Sequence, residues 1–189
     1  MRDLIVTTLE ESIALKRELI DELVPDIESF ARFFVNALKG GNKILICGNG
    51  GSAADSQHMA CELVNRFLVE RRPLPAIALS TDTSILTSIA NDYSYDQVFQ
   101  KQVEALGRAG DLLLAISTSG NARNVIEAVK AAREGGLKTV ALTGKGGGEL
   151  APLADMALVI PGTVTPRIQE SHLTVIHIVC DIIEKELFT

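Results

Sequence analysis

No stretch of this chain is apolar for long enough to cross a bilayer, and no linker-like or low-complexity segment divides its 189 residues. The first absence excludes a membrane-spanning helix, which needs about 20 successive apolar residues. The second leaves one domain, and with 47% hydrophobic residues the chain can bury one substantial core. Met1-Arg2-Asp3 leads into a charged helix and not into the apolar core of a signal peptide, so a cytoplasmic protein is expected. Positive charge is also scarce: 18 Lys and Arg stand against 24 Asp and Glu, a net charge of -6. That excludes general binding to nucleic acid or anionic membranes, and leaves room for a local pocket holding a small anion. The three cysteines, Cys47, Cys61 and Cys180, are odd in number, far apart and flanked by apolar residues. They fit reduced core thiols better than a disulfide framework or a zinc knuckle.

What the chain does have is a pair of glycine- and hydroxyl-rich turns. Gly48-Asn49-Gly50-Gly51-Ser52 follows the apolar run Lys43–Ile46, and Ser117-Thr118-Ser119-Gly120-Asn121 follows Asp111–Ile116. Both runs are short and nearly continuous, as strands covered on two faces are, and both turns open onto helix-forming sequence. Glycines let a ligand approach the backbone, free N–H groups at a helix start face an anion, and the hydroxyls of Ser52, Ser117, Thr118 and Ser119 add donors. The turns are therefore expected to hold a phosphate.

Around them the periodicity is regular. Helical spacing before Pro25 and again before Gly40-Gly41 predicts two helices ahead of the sheet, as an N-terminal extension over 1–40. Over 41–189 strands alternate with helices. Further strands are expected at Pro75–Leu79, Lys138–Thr143 and Met156–Ile160, with helices at Ala53 to about Leu68, Ser84–Ala90, Asp96–Leu106, Asn121–Arg133 and Thr165–Leu187. The expected fold is an α/β three-layer sandwich on a five-stranded parallel sheet. The closing helix is apolar on nearly every face, from Leu173 to Leu187, and such a helix needs cover everywhere. With two amphipathic helices at the other terminus, a homo-oligomer with packed terminal helices is the simplest account.

His58 and Glu62 lie four apart on the helix after the first turn, so their side chains share a face, with Arg66 extending the stripe. The closing helix adds Arg167, Gln169, Glu170, His172 and His177. An imidazole at His177, inside Val175-Ile176-His177-Ile178-Val179, is either a satisfied core group or a functional one, and the stripe on the earlier helix lines either solvent or a cleft. Asn91-Asp92 and Asp82 each read equally as turn-forming Asx residues or as polar contacts to a ligand.

Taken together, Gly48–Ser52, Ser117–Asn121 and Arg167-Ile168-Gln169-Glu170 resemble the sugar isomerase (SIS) domain of bacterial phosphoheptose isomerases, over essentially the whole chain. The resemblance implies a flavodoxin-like SIS domain, a homotetramer, and interconversion of D-sedoheptulose 7-phosphate with D-glycero-D-manno-heptose 7-phosphate through an enediol, a step toward surface lipopolysaccharide heptose. It implies Glu62 as base and His177 as acid. The substrate contacts it implies are Asn49, Gly50, Gly51, Ser52, Arg66, Asn91, Asp92, Ser117, Thr118, Ser119, Asn121 and Gln169. It also implies zinc on His58, Glu62, Gln169 and His177, although Gln169 and His177 are separated by roughly 12 Å of helix rise and reach one ion only at full stretch. Relatives carry a serine where this chain has Ala122, a gap that Arg123 or Asn124 is expected to fill.

Two other classes remain open. Asn65-Arg66-Phe67, Leu74–Leu79, Ala90-Asn91-Asp92 and Leu187-Phe188 resemble a non-catalytic branch of the family, a tetramer that engages the replication initiator. That branch lacks the equivalents of Glu62 and His177, which favours an enzyme here. A phosphosugar sensor without turnover fits the two turns equally well.

Overall fold

A computed structural model describes residues 1–189. Helices α1 (Arg2–Glu22) and α2 (Val24–Lys39) precede the sheet, with Pro25 in the first turn of α2, where its missing N–H costs nothing. The strands are β1 (Ile44–Gly48), β2 (Ala76–Ala78), β3 (Leu112–Ser117), β4 (Lys138–Thr143) and β5 (Met156–Val159). The remaining helices are α3 (Gly51–Val64), α4 (Thr83–Asp92), α5 (Gln100–Leu106), α6 (Arg123–Glu134) and α7 (Thr165–Phe188). All four pairings are parallel, in the order β2-β1-β3-β4-β5. This is the flavodoxin-like arrangement, and no helix is long and apolar enough to cross a membrane.

Alternation along the strands builds two cores. Ile44, Ile46, Leu112, Leu114, Ile116 and Leu142 face α2, α3 and α7, where Phe30, Phe34, Met59, Val175 and Val179 meet them. Leu45, Cys47, Leu113, Ala115 and Ala141 face the other way, against Val98, Phe99 and the apolar side of α6. Every residue of β1 and β3 is buried, as their continuous apolar runs require, whereas β2 is a short edge strand with Ile77 exposed.

Several boundaries differ from the sequence expectation. Helix α3 stops at Val64, short of Leu68, because the next backbone N–H groups bind a buried carboxylate on α7. Asn91 and Asp92 are the last two residues of α4, and Asp82 is its cap, accepting from the Ile85 N–H at 2.9 Å. The segment expected as one helix from Asp96 is a 3-10 turn at Tyr95–Gln97 followed by α5. Cys47 and Cys180 are buried thiols, raised to about 12 by loss of solvent, but Cys61 is exposed. The α1 helix buries only Leu15 and Leu19, leaving Leu4, Ile5, Leu9, Ile13 and Ile20 in the open.

Candidate active site

The two glycine-rich turns leave adjacent strands at the same level, since Gly48 of β1 pairs with Ile116 of β3. Gly50 takes φ +55 to turn the chain into α3. At Gly51 an added Cβ would collide with the Gln169 amide arriving from α7, so a bare backbone is what lets that amide in. Together the turns and Gln169 enclose a cavity of about 160 Å³ lined by Asn49, Ser52, Ser117, Thr118, Ser119 and Gln169. It lies at the carboxyl edge of the sheet beside the first turn of α3, with the hydroxyl-bearing Ser52, Ser117, Thr118 and Ser119 in its wall, a setting suited to a small anion.

Two of the asparagines predicted to touch substrate have their side chains engaged within the protein. Asn49 and Asn124 form a reciprocal amide pair, each Nδ2 donating to the other's Oδ1 at 2.8 Å, and the Tyr95 hydroxyl donates to Asn49 Oδ1 at 3.1 Å. The pair bolts the first turn to the start of α6. Asn121 accepts from the Glu149 N–H at 3.0 Å and donates to the Ser119 carbonyl at 3.1 Å, bracing the second turn against the loop after β4. Asn124 therefore does not fill the gap at Ala122. Nor does Arg123, an exposed side chain 3.8 and 3.9 Å from Glu127 and Glu149.

The second half of the site is a cluster of proton-handling groups where α3 and α7 lie side by side. His58 Nε2 stands 2.8 Å from His177 Nε2 and 3.4 Å from Glu62 Oε1. Only one of two facing ring nitrogens can carry the shared hydrogen, so one imidazole donates while the other accepts. The His177 ring also meets the Phe67 ring, 5.5 Å centroid to centroid, beside its edge-on contact with the His58 ring at 5.1 Å. Glu62 is 19% exposed, half as much as His58 at 40%. Imidazole, imidazole and carboxylate in contact can pass a proton from one end to the other.

Three of the four residues implied as zinc ligands are in this cluster, and their two nitrogens and one oxygen are donors that zinc accepts. Their donor atoms contact one another directly, with His177 Nε2 at 2.8 Å and Glu62 Oε1 at 3.4 Å from His58 Nε2. The fourth, Gln169, is away at Gly51 among the phosphate-type donors.

Arg66 lies past the end of α3 and pairs with Glu70 at 3.5 Å, so it does not extend the stripe of His58 and Glu62. Asn91 and Asp92 are exposed and bond to each other at 2.9 Å; none of these three lines the cavity in the single chain. His172 is fully buried, its Nε2–H donating to the Thr143 carbonyl at 3.1 Å, and burial drives its pKa down to about 4. Arg167 ties α1 to α7 through the Thr8 carbonyl at 2.8 Å.

Asp55 was not foreseen. It stands on α3 between Gly51 and His58, and its Oδ2 is buried with no hydrogen-bond partner. Burial raises its carboxyl to about 6, against a smaller opposing pull from His58. The sequence signal was its i, i+3 spacing to His58 on the same helix face. A larger cleft, about 480 Å³, opens at the opposite edge of the sheet between Arg32, Asn36, Asn42 and Lys138, away from all of these groups.

The model of the SIS domain family matches residues 9–144. The chain belongs to this family. It falls among the phosphoheptose isomerases: it is 54% identical to the phosphoheptose isomerase of Pelobacter propionicus over 188 residues, covering 100% of both chains. The solved phosphoheptose isomerase GmhA of Neisseria gonorrhoeae is 48% identical and superposes with a TM-score of 0.93 over 97% of this chain and 98% of that one. A phosphoheptose isomerase from Francisella tularensis, 42% identical, gives 0.94 over 97% of each chain.

Proposed function

We propose that this isomerase interconverts D-sedoheptulose 7-phosphate and D-glycero-D-manno-heptose 7-phosphate through an enediolate. The observation that carries the reading is the spacing of the two half-sites. Gln169 and Gly51 mark the anion cradle, and His58 stands seven residues further along α3, about 10 Å away by helix rise. An extended carbon chain advances roughly 1.2 Å per bond, as an extended polypeptide does, so C2 of an open-chain heptulose lies roughly 8–9 Å from the phosphorus on its far end. With the phosphate among Ser52, Ser117, Thr118 and Ser119, the C1–C2 unit reaches His58, Glu62 and His177.

There Glu62 takes the proton from C1, the pair left behind becomes the C1–C2 double bond, and the carbonyl pair moves onto the C2 oxygen. His177 delivers a proton to C2 while the hydroxyl hydrogen passes from the C1 oxygen to the C2 oxygen, leaving an aldehyde at C1. His58, in contact with both carriers, gives the proton on Glu62 a route back to His177, so the enzyme ends as it began. Zinc belongs to this proposal as a second state: His58, Glu62 and His177 would hold it when their donor atoms carry no proton, and when bound it would polarise the carbonyl as a Lewis acid.

The same reading takes the protein to be a cytoplasmic homotetramer in a pathway to surface heptose. What supports assembly is the apolar strip left open on α1, α2 and α7, where the exposed Ile20, Val24 and Ile178 line a groove of about 290 Å³. The test is incubation of purified protein with sedoheptulose 7-phosphate while aldose formation is followed. Turnover is expected. Binding without turnover would favour a sensor, and capture of the replication initiator by a protein inert toward the sugar would favour the binding branch.

A further inference from the structure

Near the end of α7, Glu184 is buried, with 1% of its side chain exposed, and so is Arg71 in the loop after α3. The carboxylate accepts from three successive backbone N–H groups, Phe67 at 2.8 Å, Leu68 at 2.8 Å and Val69 at 2.7 Å, and from Arg71 Nε at 2.9 Å. Arg71 in turn donates to backbone carbonyls at the end of α3: Glu62 at 2.8 Å through Nη2 and Leu63 at 2.9 Å through Nη1. Carbonyls in the last turn of a helix have no partner within the helix, so this guanidinium supplies one. The pair thus joins the end of the helix that carries Glu62 to the helix that carries His177.

Stability alone does not account for it. A buried ion pair gains little over well-packed apolar side chains of the same volume, because both charges lose their water. Its geometric effect is specific. Glu184 lies two turns beyond His177 on the same face of α7, and through the Phe67 N–H it sets the ring that backs His177. Arg71 holds the backbone of Glu62 itself.

We propose that Glu184 and Arg71 are positioning residues for the isomerisation, holding Glu62 and His177 at their working separation. This rests on the assignment of those two groups as the proton carriers.

The test compares wild type with Glu184→Gln and Arg71→Lys. Glu184→Gln keeps the shape but turns a charged acceptor of four bonds into an amide; Arg71→Lys keeps the charge but loses the fork that reaches several carbonyls. Expected for both is a fall in kcat of between about tenfold and a hundredfold, with KM and inorganic phosphate binding unchanged within about twofold. In the Glu62→Gln background the same changes should cost nothing further, since the carriers no longer act as a pair. The chain has three histidines, so ring nitrogen NMR follows each. The His177 signals should move in Glu184→Gln and those of His172 should not. Wild-type kcat with unmoved His177 signals would overturn the proposal, as would a parallel loss of phosphate binding and turnover. If Glu184→Gln does not fold, Arg71→Lys decides by the same readouts. If wild type has no turnover, the functional reading fails, while the His177 signals still report whether the pair positions that ring.

Discussion

His58 and His177, 119 positions apart in the chain, bring their Nε2 atoms to 2.8 Å. The contact exists because α3 and α7 run side by side, with Gln169 against Gly51 at one end and the imidazoles together two turns later. One helix pair therefore carries both the anion cradle and the acid–base cluster.

Glu62→Gln should leave phosphosugar affinity within about twofold of wild type while lowering turnover by about 10²–10⁴-fold, the usual worth of a general base. Solvent deuterium incorporation at C1 and C2 of the sugar should disappear with it. Unchanged exchange in the variant would remove Glu62 from the proton path.

Metal removal separates the two groups of predicted ligands. Dialysis against a chelator is expected to lower turnover, with recovery on adding zinc. Titration calorimetry should show zinc uptake lost in His58→Ala and His177→Ala. Gln169→Ala should instead keep zinc uptake and raise KM, because its amide lies among the phosphate donors. Loss of zinc uptake in Gln169→Ala with KM intact would contradict this division.

Gly120 and Gly146 both adopt positive φ, +67 and +78, but in different surroundings. A Cβ on Gly120 would run into the backbone of Gly147, whereas at Gly146 there is nothing within 4 Å. Gly146→Ala should cost only the left-handed conformation, about 1–2 kcal/mol by urea unfolding. Gly120→Ala should cost clearly more and also abolish phosphate protection against unfolding, because the second turn must move. Equal effects on stability would sink the argument.

Acid should weaken the fold in two steps. His172 has its pKa lowered to about 4, so between pH 6.5 and 4 the unfolded chain binds a proton there that the folded chain refuses. Stability from this group is full above pH 6.5 and falls as pH drops toward 4, by on the order of 3 kcal/mol. Asp111 is held low chiefly by hydrogen bonds from Lys43 and Arg108 acting against its burial, and Glu184 likewise by the Phe67, Leu68 and Val69 N–H groups. Their contribution is lost at still lower pH, as each carboxylate protonates. Asp55, raised to about 6, works in the opposite sense between pH 4 and 6 and blunts the first step. The urea midpoint should fall less between pH 7 and 4.5 in His172→Asn than in wild type. An identical fall would show that His172 is not the group responsible.

The fold was legible because its signals are local. Two uninterrupted apolar runs meant strands buried on both faces, and the glycine and serine clusters after them meant turns at a carboxyl edge; β1, β3 and the cavity between them follow directly. The end of α3 was not legible. Helical pattern runs on past Val64, but the N–H groups of Phe67 to Val69 find a better acceptor in Glu184, 115 to 117 positions away. Likewise nothing near Asn49 in sequence announces that its amide is held by Asn124.

By itself the sequence determined the element types, the parallel sheet and the chemical identity of the groups at its carboxyl edge, because strand burial, helix periodicity and turn chemistry act over a few residues. Only the tertiary structure decided which groups work together: His58 with His177, Gln169 with the phosphate-type turns, Arg71 with Glu184. Such pairings depend on how whole helices lie against each other, and the packing of α3 on α7 is set by every buried side chain between them at once.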